Sequence, residues 1–345
     1  MKSLETDYYN SFCSHIYVEK EALKYPETER ILSRFPNAEI IEINHYKDVF
    51  CRRGQKYVLQ HKSQNLILAV KTGTLVYPGA PVCQSFGNEY FYYASCIMNC
   101  IYDCEYCYLK GMYPSGNLVV FVNLEDIFAE VNELLKKHPV YLCVSYDTDL
   151  GALASVTGYL QEWTVFAKGR QDLKIEIRTK CANLPFQDLD LSSQVIYAFT
   201  LSPQAVIDAY EHGTPSLAKR IACAAKAVDA GWLVRLCFDP MIYCADWKMH
   251  YESMLKSVFA GLDGRKLLDV SVGTFRVSKD YLKKMRKNEP FSAVVQFPYH
   301  NIDGVYQYPK ALAGEMEQFL TKRLKEKLPD DKIFLWKNEN EVEYV

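Results

Sequence analysis

No run of 18 or more apolar residues occurs in the 345-residue chain, which excludes a transmembrane helix of ordinary length. No secretory leader is expected either. Met1-Lys2-Ser3-Leu4-Glu5-Thr6-Asp7 carries acids where a signal peptide needs its apolar stretch. The protein is therefore expected to be cytoplasmic, with no membrane partner. Neither internal repeats nor low-complexity tracts interrupt it. Charge of one sign is also scarce: the formal net charge is −2. No basic excess announces a nucleic-acid partner, although a local basic groove can sit on a neutral protein. The hydrophobic (49%) and charged (24%) fractions are those of an ordinary globular protein. The length suits one large domain, or one with a small extension.

Cysteine is what the chain has in excess, with twelve. In a reducing compartment a disulfide framework is not expected at this length. Cys223 lies in the helical run Ile221-Ala222-Cys223-Ala224-Ala225, and Cys237 follows the strand-like Leu233-Val234-Arg235-Leu236. Both read as core fillers, because free cysteine is among the most buried residue types. Cys13, Cys51, Cys83, Cys181 and Cys244 stand alone and read as structural.

Residues 1 to about 85 mix helix and strand signals, with Glu21-Ala22-Leu23 helical and Leu66-Ile67-Leu68-Ala69-Val70 a strand ended by Gly73. From Tyr90 onward the pattern alternates. Strand-like runs occupy 90–95, 140–145, 174–179, 195–200, 232–238 and 268–275, with helix-like runs between. The clearest helix follows Asn123 as N-cap, has Glu125 and Asp126 in its first turn, and repeats Ile127, Phe128, Val131, Leu134 and Leu135 at helical spacing. A second runs from Ser216 to Ala230, between Pro215 and Gly231. Strict alternation argues for parallel βα units, which fit a partial barrel or a flat doubly wound sheet. Beyond Pro290 it stops. An aromatic, glycine-containing stretch over 299–308 and an amphipathic helix with Leu312, Met316, Phe319, Leu320 and Leu324 complete the chain.

Residues 96–108 read Cys96-Ile97-Met98-Asn99-Cys100-Ile101-Tyr102-Asp103-Cys104-Glu105-Tyr106-Cys107-Tyr108. Within them lies Cys100-x3-Cys104-x2-Cys107, on a loop between strand and helix, where parallel α/β folds place their chemistry. Three close thiolates can hold three irons of a [4Fe–4S] cluster and leave the fourth open to a cofactor or substrate. Zinc is the rival. Zinc sites usually pair one Cys-x2-Cys with a distant second pair, and none exists here. Cys96 could add a fourth ligand, but with a Cys-x3-Cys spacing unlike zinc knuckles. Core filling alone does not explain four cysteines within a dozen residues.

Cys-x3-Cys-x-aromatic-Cys, as met by Cys100, Cys104, Tyr106 and Cys107, resembles the signature of the radical S-adenosylmethionine superfamily. Its flanks narrow this. Cys104-Glu105-Tyr106-Cys107-Tyr108-Leu109, then Val119-Val120-Phe121-Val122-Asn123-Leu124-Glu125-Asp126-Ile127-Phe128, is similar to the spore photoproduct lyase family. So are Glu21-Ala22-Leu23-Lys24-Tyr25-Pro26 and Gly213-Thr214-Pro215-Ser216. The resemblance spans about residues 20–325, strongest over 100–128. It implies an α/β fold: a partial (β/α)6 barrel of radical SAM type over 86–290, an N-terminal α/β extension over 1–85 and a C-terminal hairpin and helix over 291–345.

The resemblance also implies roles. Cys100, Cys104 and Cys107 would hold the [4Fe–4S] cluster. Tyr108, Ser145, Lys180 and Thr200, with Ser202 as the neighbour of Thr200, would contact S-adenosylmethionine. Cys143 would donate a hydrogen atom to the product radical, and Tyr106 and Tyr108 would relay a radical. Gly304, Tyr306 and Tyr308 would lie near the lesion. The implied reaction reverses the spore photoproduct, 5-thyminyl-5,6-dihydrothymine, to two thymines through a 5′-deoxyadenosyl radical. The lesion must leave the base stack for this. The implied partners are damaged DNA carrying the thymine dimer lesion and an electron donor such as flavodoxin or ferredoxin.

Each assignment has a plainer counterpart. Tyr106 could pack beside the loop, Cys143 could be core, Lys180 a solvated strand-end charge, and Tyr306 and Tyr308 hairpin packing. Tyr146-Asp147-Thr148-Asp149 is longer than the family pattern, and His300, Asn301 and Asp303 make the C-terminal stretch less basic than a DNA backbone suggests. These departures keep open a family enzyme acting on another nucleic-acid or nucleotide substrate. A non-catalytic metal- or cluster-binding module is the third possibility.

Overall fold

The computed structural model describes residues 13–80 and 82–336. Met1–Asp7, read above for targeting, lie outside the described residues. Among the described residues no helix is long and apolar enough to cross a membrane.

Two sheets organise the molecule. The first has the order β2-β1-β3-β8-β6, built from β1 (His15–Glu19), β2 (Glu39–Ile43), β3 (Leu66–Ala69), β6 (Ile97–Met98) and β8 (Leu118–Phe121). Its strands pair in parallel except β6 against β8. The second has the order β18-β14-β13-β11-β10-β9-β5-β4. It contains β4 (Val76–Pro78), β5 (Phe91–Ala94), β9 (Val140–Cys143), β10 (Leu173–Thr179), β11 (Val195–Thr200), β13 (Leu233–Met241), β14 (Asp269–Thr274) and β18 (Ile333–Leu335). All its pairings are parallel except β4 with β5. All six strand runs expected from the alternation thus belong to one sheet and point the same way. The strand β18 was not expected from the sequence.

The two faces of the second sheet differ. Leu142, Val144, Ile175, Ile177, Tyr197, Phe199, Val234, Leu236, Val270 and Val272 enter the main apolar core. Helices cover that face. Leu124–Leu135 buries Leu124, Ile127, Phe128 and Val131 there, and Leu217–Asp229 buries Leu217, Ile221, Ala224 and Val228. Each such Leu, Ile or Val contributes about 1.5–3 kcal/mol when fully buried. The N-terminus of Leu217–Asp229 is capped by Ser216, whose hydroxyl accepts from Lys219 N. Asn123 precedes the other helix without capping it. Its amide instead spans to the Lys71 backbone, accepting from Lys71 N and donating to Lys71 O (both 2.8 Å).

The opposite face carries polar side chains at every second position, all buried except the partly exposed Arg178: Tyr141 and Cys143 on β9, Glu176 and Arg178 on β10, Arg235, Cys237 and Asp239 on β13, Asp269 and Ser271 on β14. Arg235 ties Tyr141, Glu176 and Asp269 together across four strands. Burying charge is costly unless it is paired, and here each carboxylate meets a guanidinium.

Two small sheets sit at the carboxyl end. β7 (Asp103–Cys104) pairs antiparallel with β12 (Glu211–His212). β15 (Arg276–Ser278), β16 (His300–Ile302) and β17 (Val305–Gln307) form an antiparallel trio. The β16–β17 turn places Asp303 and Gly304 at φ +50° and +85°, the left-handed pair that a two-residue hairpin requires. In the chain the helix Lys279–Asn288 lies between β15 and β16, and the helix Lys310–Leu324 follows β17.

Candidate active site

The loop after β5 is launched by Asn99 at φ +71°, a conformation asparagine tolerates. Its buried amide donates to Ser115 O (2.7 Å) and Asn117 O (2.6 Å). The His61 ring and the Gln64 amide both donate to Cys100 O at 3.0 Å. Further on, Glu105 N donates to Tyr210 O (2.9 Å), continuing the β7–β12 ladder. The Leu109–Met112 helix closes the loop, with Lys110 paired to Asp103 and Glu289. Cys100, Cys104 and Cys107 are all free thiols, and Cys100 and Cys107 are partly exposed. Cys96 is different: fully buried, it enters the main core near Val144 O.

Lys180 follows the end of β10 and reaches the same loop. Its ammonium donates to Cys104 Sγ (3.3 Å) and to the Tyr106 hydroxyl (3.0 Å), and pairs with Glu211 (3.2 Å). Glu211 is the hub. It accepts from the Tyr106 hydroxyl, from Ser202 Oγ (2.7 Å) and from Arg220. Arg220 is wholly buried and also donates to Thr200 O (3.2 Å). Burial would raise the Glu211 carboxyl, but Lys180 and Arg220 outweigh it and hold the group down to about 2. Ser202, Lys180 and Tyr106 thus meet at one buried carboxylate that the sequence analysis did not identify, and Thr200 is linked to it only through Arg220.

Cys143 ends β9 with no exposed surface. Its sulfur lies 4.0 Å from both Ser145 Oγ and Glu176 Oε1. Burial first, then Glu176, raise this thiol well above its ordinary value, with Arg178 acting the other way. Ser145 accepts from Arg178 N (2.6 Å). The Arg178 Nη2 atom is buried with no hydrogen-bond partner among the described residues. Tyr108 donates to Tyr146 O, three residues past Cys143, and its ring lies against Tyr281 with centroids 6.5 Å apart.

The segment 146–149 braces the strand ends. Asp147 accepts from Ser95 beyond β5. Asp149 accepts from Thr179 Oγ1 and Lys180 N (2.6 Å each) and from Ala152 N (3.1 Å). The expected C-terminal residues meet this centre only through intervening groups, Tyr308 through the rings of Tyr299 and Phe275 to Tyr106. Gly304 is at the hairpin tip, Tyr306 is half-buried over Arg286, and Tyr308 is buried among Phe297, Tyr299 and Tyr243.

The donors fit an iron–sulfur group. Tyr102 N donates toward Cys100 Sγ (3.4 Å), and Lys180 sets a cation beside Cys104. Such donors favour thiolates, working against burial, which raises all three thiols. No set of three or more His, Cys, Asp and Glu among the described residues is gathered for a single metal ion. The ligands of a cubane cluster bind separate irons, whereas zinc needs its ligands around one point.

A family model described as spore photoproduct lyase matches residues 12–336. A spore photoproduct lyase of Clostridium acetobutylicum is 25% identical over 327 residues, covering 88% of this chain and 93% of the relative. That of Bacillus subtilis is 23% identical over 287 residues, covering 80% and 82%. Among solved structures, a spore photoproduct lyase complexed with dinucleoside spore photoproduct matches with a TM-score of 0.80 at 21% identity, over 94% of this chain and 98% of the other. A mutant with bound AdoMet and the same dinucleoside matches equally, TM-score 0.80 at 21% identity over 94% and 98%.

Proposed function

The chain belongs to the spore photoproduct lyase family, and from that premise we propose that it is a radical S-adenosylmethionine lyase reversing the spore photoproduct in DNA to two thymines. The observation that carries this reading is the gathering, at one end of one sheet, of three free thiols, Tyr106, Lys180 and a buried Cys143. Cys100, Cys104 and Cys107 would hold a [4Fe–4S] cluster, which with S-adenosylmethionine would supply the 5′-deoxyadenosyl radical needed to remove hydrogen from the saturated thymine ring.

The chain's own residues do the rest. Lys180, Ser145, Thr200 and Ser202, from the ends of three neighbouring strands, hold the cofactor, with Tyr108 beside it. Cys143 gives its sulfur-bound hydrogen atom to the thymine radical left when the bridge between the bases breaks. That role needs S–H rather than thiolate, and burial with Glu176 keeps the proton on sulfur at neutral pH. Arg178 Nη2, a donor on the same sheet face, fits a carbonyl oxygen of the lesion base. The thiyl radical then left on Cys143 would take a hydrogen atom from the phenol of Tyr106 or Tyr108, and the resulting phenoxyl radical would take one from 5′-deoxyadenosine, restoring the 5′-deoxyadenosyl radical. We assign Gly304 and Tyr306 to the lesion side, with Tyr308 holding the hairpin from beneath.

We also infer that β5, β9, β10, β11, β13 and β14 form the partial (β/α)6 barrel over 86–290. Supporting this, Glu176, Arg235 and Asp269 are buried on the face that the helices leave uncovered. The extensions at 1–85 and 291–345 flank it. The electron donor is a small redox protein such as flavodoxin or ferredoxin. The 146–149 segment serves as a brace between strand ends, which removes the reason to favour another substrate. The test is anaerobic reconstitution followed by incubation with S-adenosylmethionine and a dinucleotide lesion. Iron and sulfide in the protein, with 5′-deoxyadenosine and repaired dinucleotide in solution, are expected. Bound zinc, or cofactor cleavage without repair, would contradict the reading.

A further inference from the structure

The helix Lys279–Asn288 packs directly on the cluster loop. Its Tyr281 backbone presses on Gly111, where any Cβ would come within 2.4 Å of Tyr281 O. Asn288 donates to Lys110 O (2.8 Å), and Glu289 pairs with Lys110. Lys279 N donates to Gly304 O at the hairpin tip (2.9 Å), and Arg286 donates to Val295 O (3.0 Å) and Phe297 O (2.9 Å). The helix is thus fixed between the loop and the hairpin, burying Leu282 and Met285.

Its outward face is exposed Lys279, Lys283, Lys284 and Lys287, with Asp280 the one exposed acid of the helix. Lys279, Lys283 and Lys287 recur every four residues, about 6 Å apart along the axis. Like charges at that spacing destabilise a helix, and Lys279 in the first turn opposes the macrodipole. Lys287, in the last turn, suits the macrodipole, and Asp280 offsets Lys283 and Lys284 in part, so the row of like charge at Lys279, Lys283 and Lys287 adds little to the fold. None of these four lysines has a carboxylate partner within 4.0 Å among the described residues. Just past the helix, Phe291 is 98% exposed. Its turn is held by Glu289 and by Gln296, whose amide donates to Arg286 O and Glu289 O (3.1 Å each). A ring so exposed on a pinned turn has no packing role.

We propose that this lysine face is the track for the phosphate backbone of the duplex carrying the lesion, and that Phe291 enters the base stack beside it. The proposal rests on the reading of the chain as a DNA lesion lyase. Phosphate neutralisation accounts for the charge, and an apolar wedge that unstacks bases accounts for the ring. The basic surface lacking in the C-terminal stretch lies on this helix instead.

The test compares the reconstituted parent with a Lys283→Glu/Lys284→Glu/Lys287→Glu triple variant and with Phe291→Ala. Fluorescence anisotropy measures binding to a lesion-containing duplex across salt concentrations. Repair of the isolated dinucleotide lesion is measured in parallel. The triple variant should lose affinity roughly tenfold or more and lower the slope of log K against log salt by about three, near one per phosphate contact. Phe291→Ala should lose affinity with the slope unchanged, and Phe291→Trp should restore it. Dinucleotide repair should be unaltered in all. Unchanged affinity and slope in the triple variant would overturn the proposal, as would an equal loss of dinucleotide repair. Unchanged duplex affinity in Phe291→Ala would overturn the part assigned to the ring. A parent that binds duplex through these lysines yet leaves the dinucleotide unrepaired would contradict the lyase reading and leave this surface standing.

Discussion

Replacing Glu211 by Gln removes one negative charge from a carboxylate with no exposed side-chain surface, which pairs with Lys180 and Arg220. Arg220, equally buried, is then left as an uncompensated charge. Removing one partner of a buried pair costs about 3–5 kcal/mol. Proton linkage gives a similar figure. A carboxyl held near 2 in the folded chain, against about 4.3 unfolded, differs by about 2.3 units, or roughly 3 kcal/mol at 1.36 per unit. The sign follows from the direction. A depressed folded value means stability fully present above about pH 5 and lost as pH falls through about 2. Urea unfolding of the cluster-free protein should show Glu211→Gln about 3 kcal/mol less stable at pH 7, with the gap narrowing as pH drops toward 3. The double variant Glu211→Gln/Arg220→Met should recover part of the loss, because it removes the buried guanidinium that the single variant leaves unpaired, while Lys180 still lacks its carboxylate. A single variant within about 0.5 kcal/mol of the parent at pH 7, the span of an ordinary surface substitution, would refute the reasoning. So would a gap that does not change with pH.

Cys100→Ala, Cys104→Ala and Cys107→Ala should each lose iron and sulfide after reconstitution, whereas Cys96→Ala should retain both, since its sulfur faces the core; metal and sulfide analysis decides, and loss on Cys96→Ala alone would reverse the assignment. Arg178→Lys keeps the charge beside Glu176 but drops the free Nη2 donor. It should raise KM for the dinucleotide lesion several-fold while leaving the affinity for S-adenosylmethionine unchanged, and equal losses in both would place Arg178 on the cofactor side.

The six parallel strands were legible because β-branched and aromatic runs alternate with well-terminated helices. The motif cysteines stood out by their spacing as candidate ligands, and Cys96 was set aside because its added Cys-x3-Cys is unlike a zinc knuckle. The polar face was also written in the chain, as Glu176, Arg178 and Lys180 and again as Arg235, Cys237 and Asp239, with the period of a strand. It was overlooked because buried parallel strands are usually apolar throughout. Glu211 carried no such signal. It sits on a two-residue strand, and its partners Lys180 and Tyr106 are 31 and 105 residues away in sequence. The strand β18 is three residues long and flanked by charge, below what local pattern resolves. Asn123 held the expected helix boundary, but its side chain was drawn to the Lys71 backbone by tertiary contact.

The central claim is that Cys143 quenches the thymine radical at the end of lesion reversal. It is tested most directly by product analysis of the reconstituted parent and Cys143→Ala on a dinucleotide spore photoproduct, using chromatography and mass spectrometry. The parent should yield repaired thymine dinucleotide. Cys143→Ala should still cleave S-adenosylmethionine and abstract hydrogen, but with less repaired product and with trapped adducts of the unquenched radical. A normal yield of clean repaired dinucleotide from Cys143→Ala would contradict the account and return Cys143 to the core.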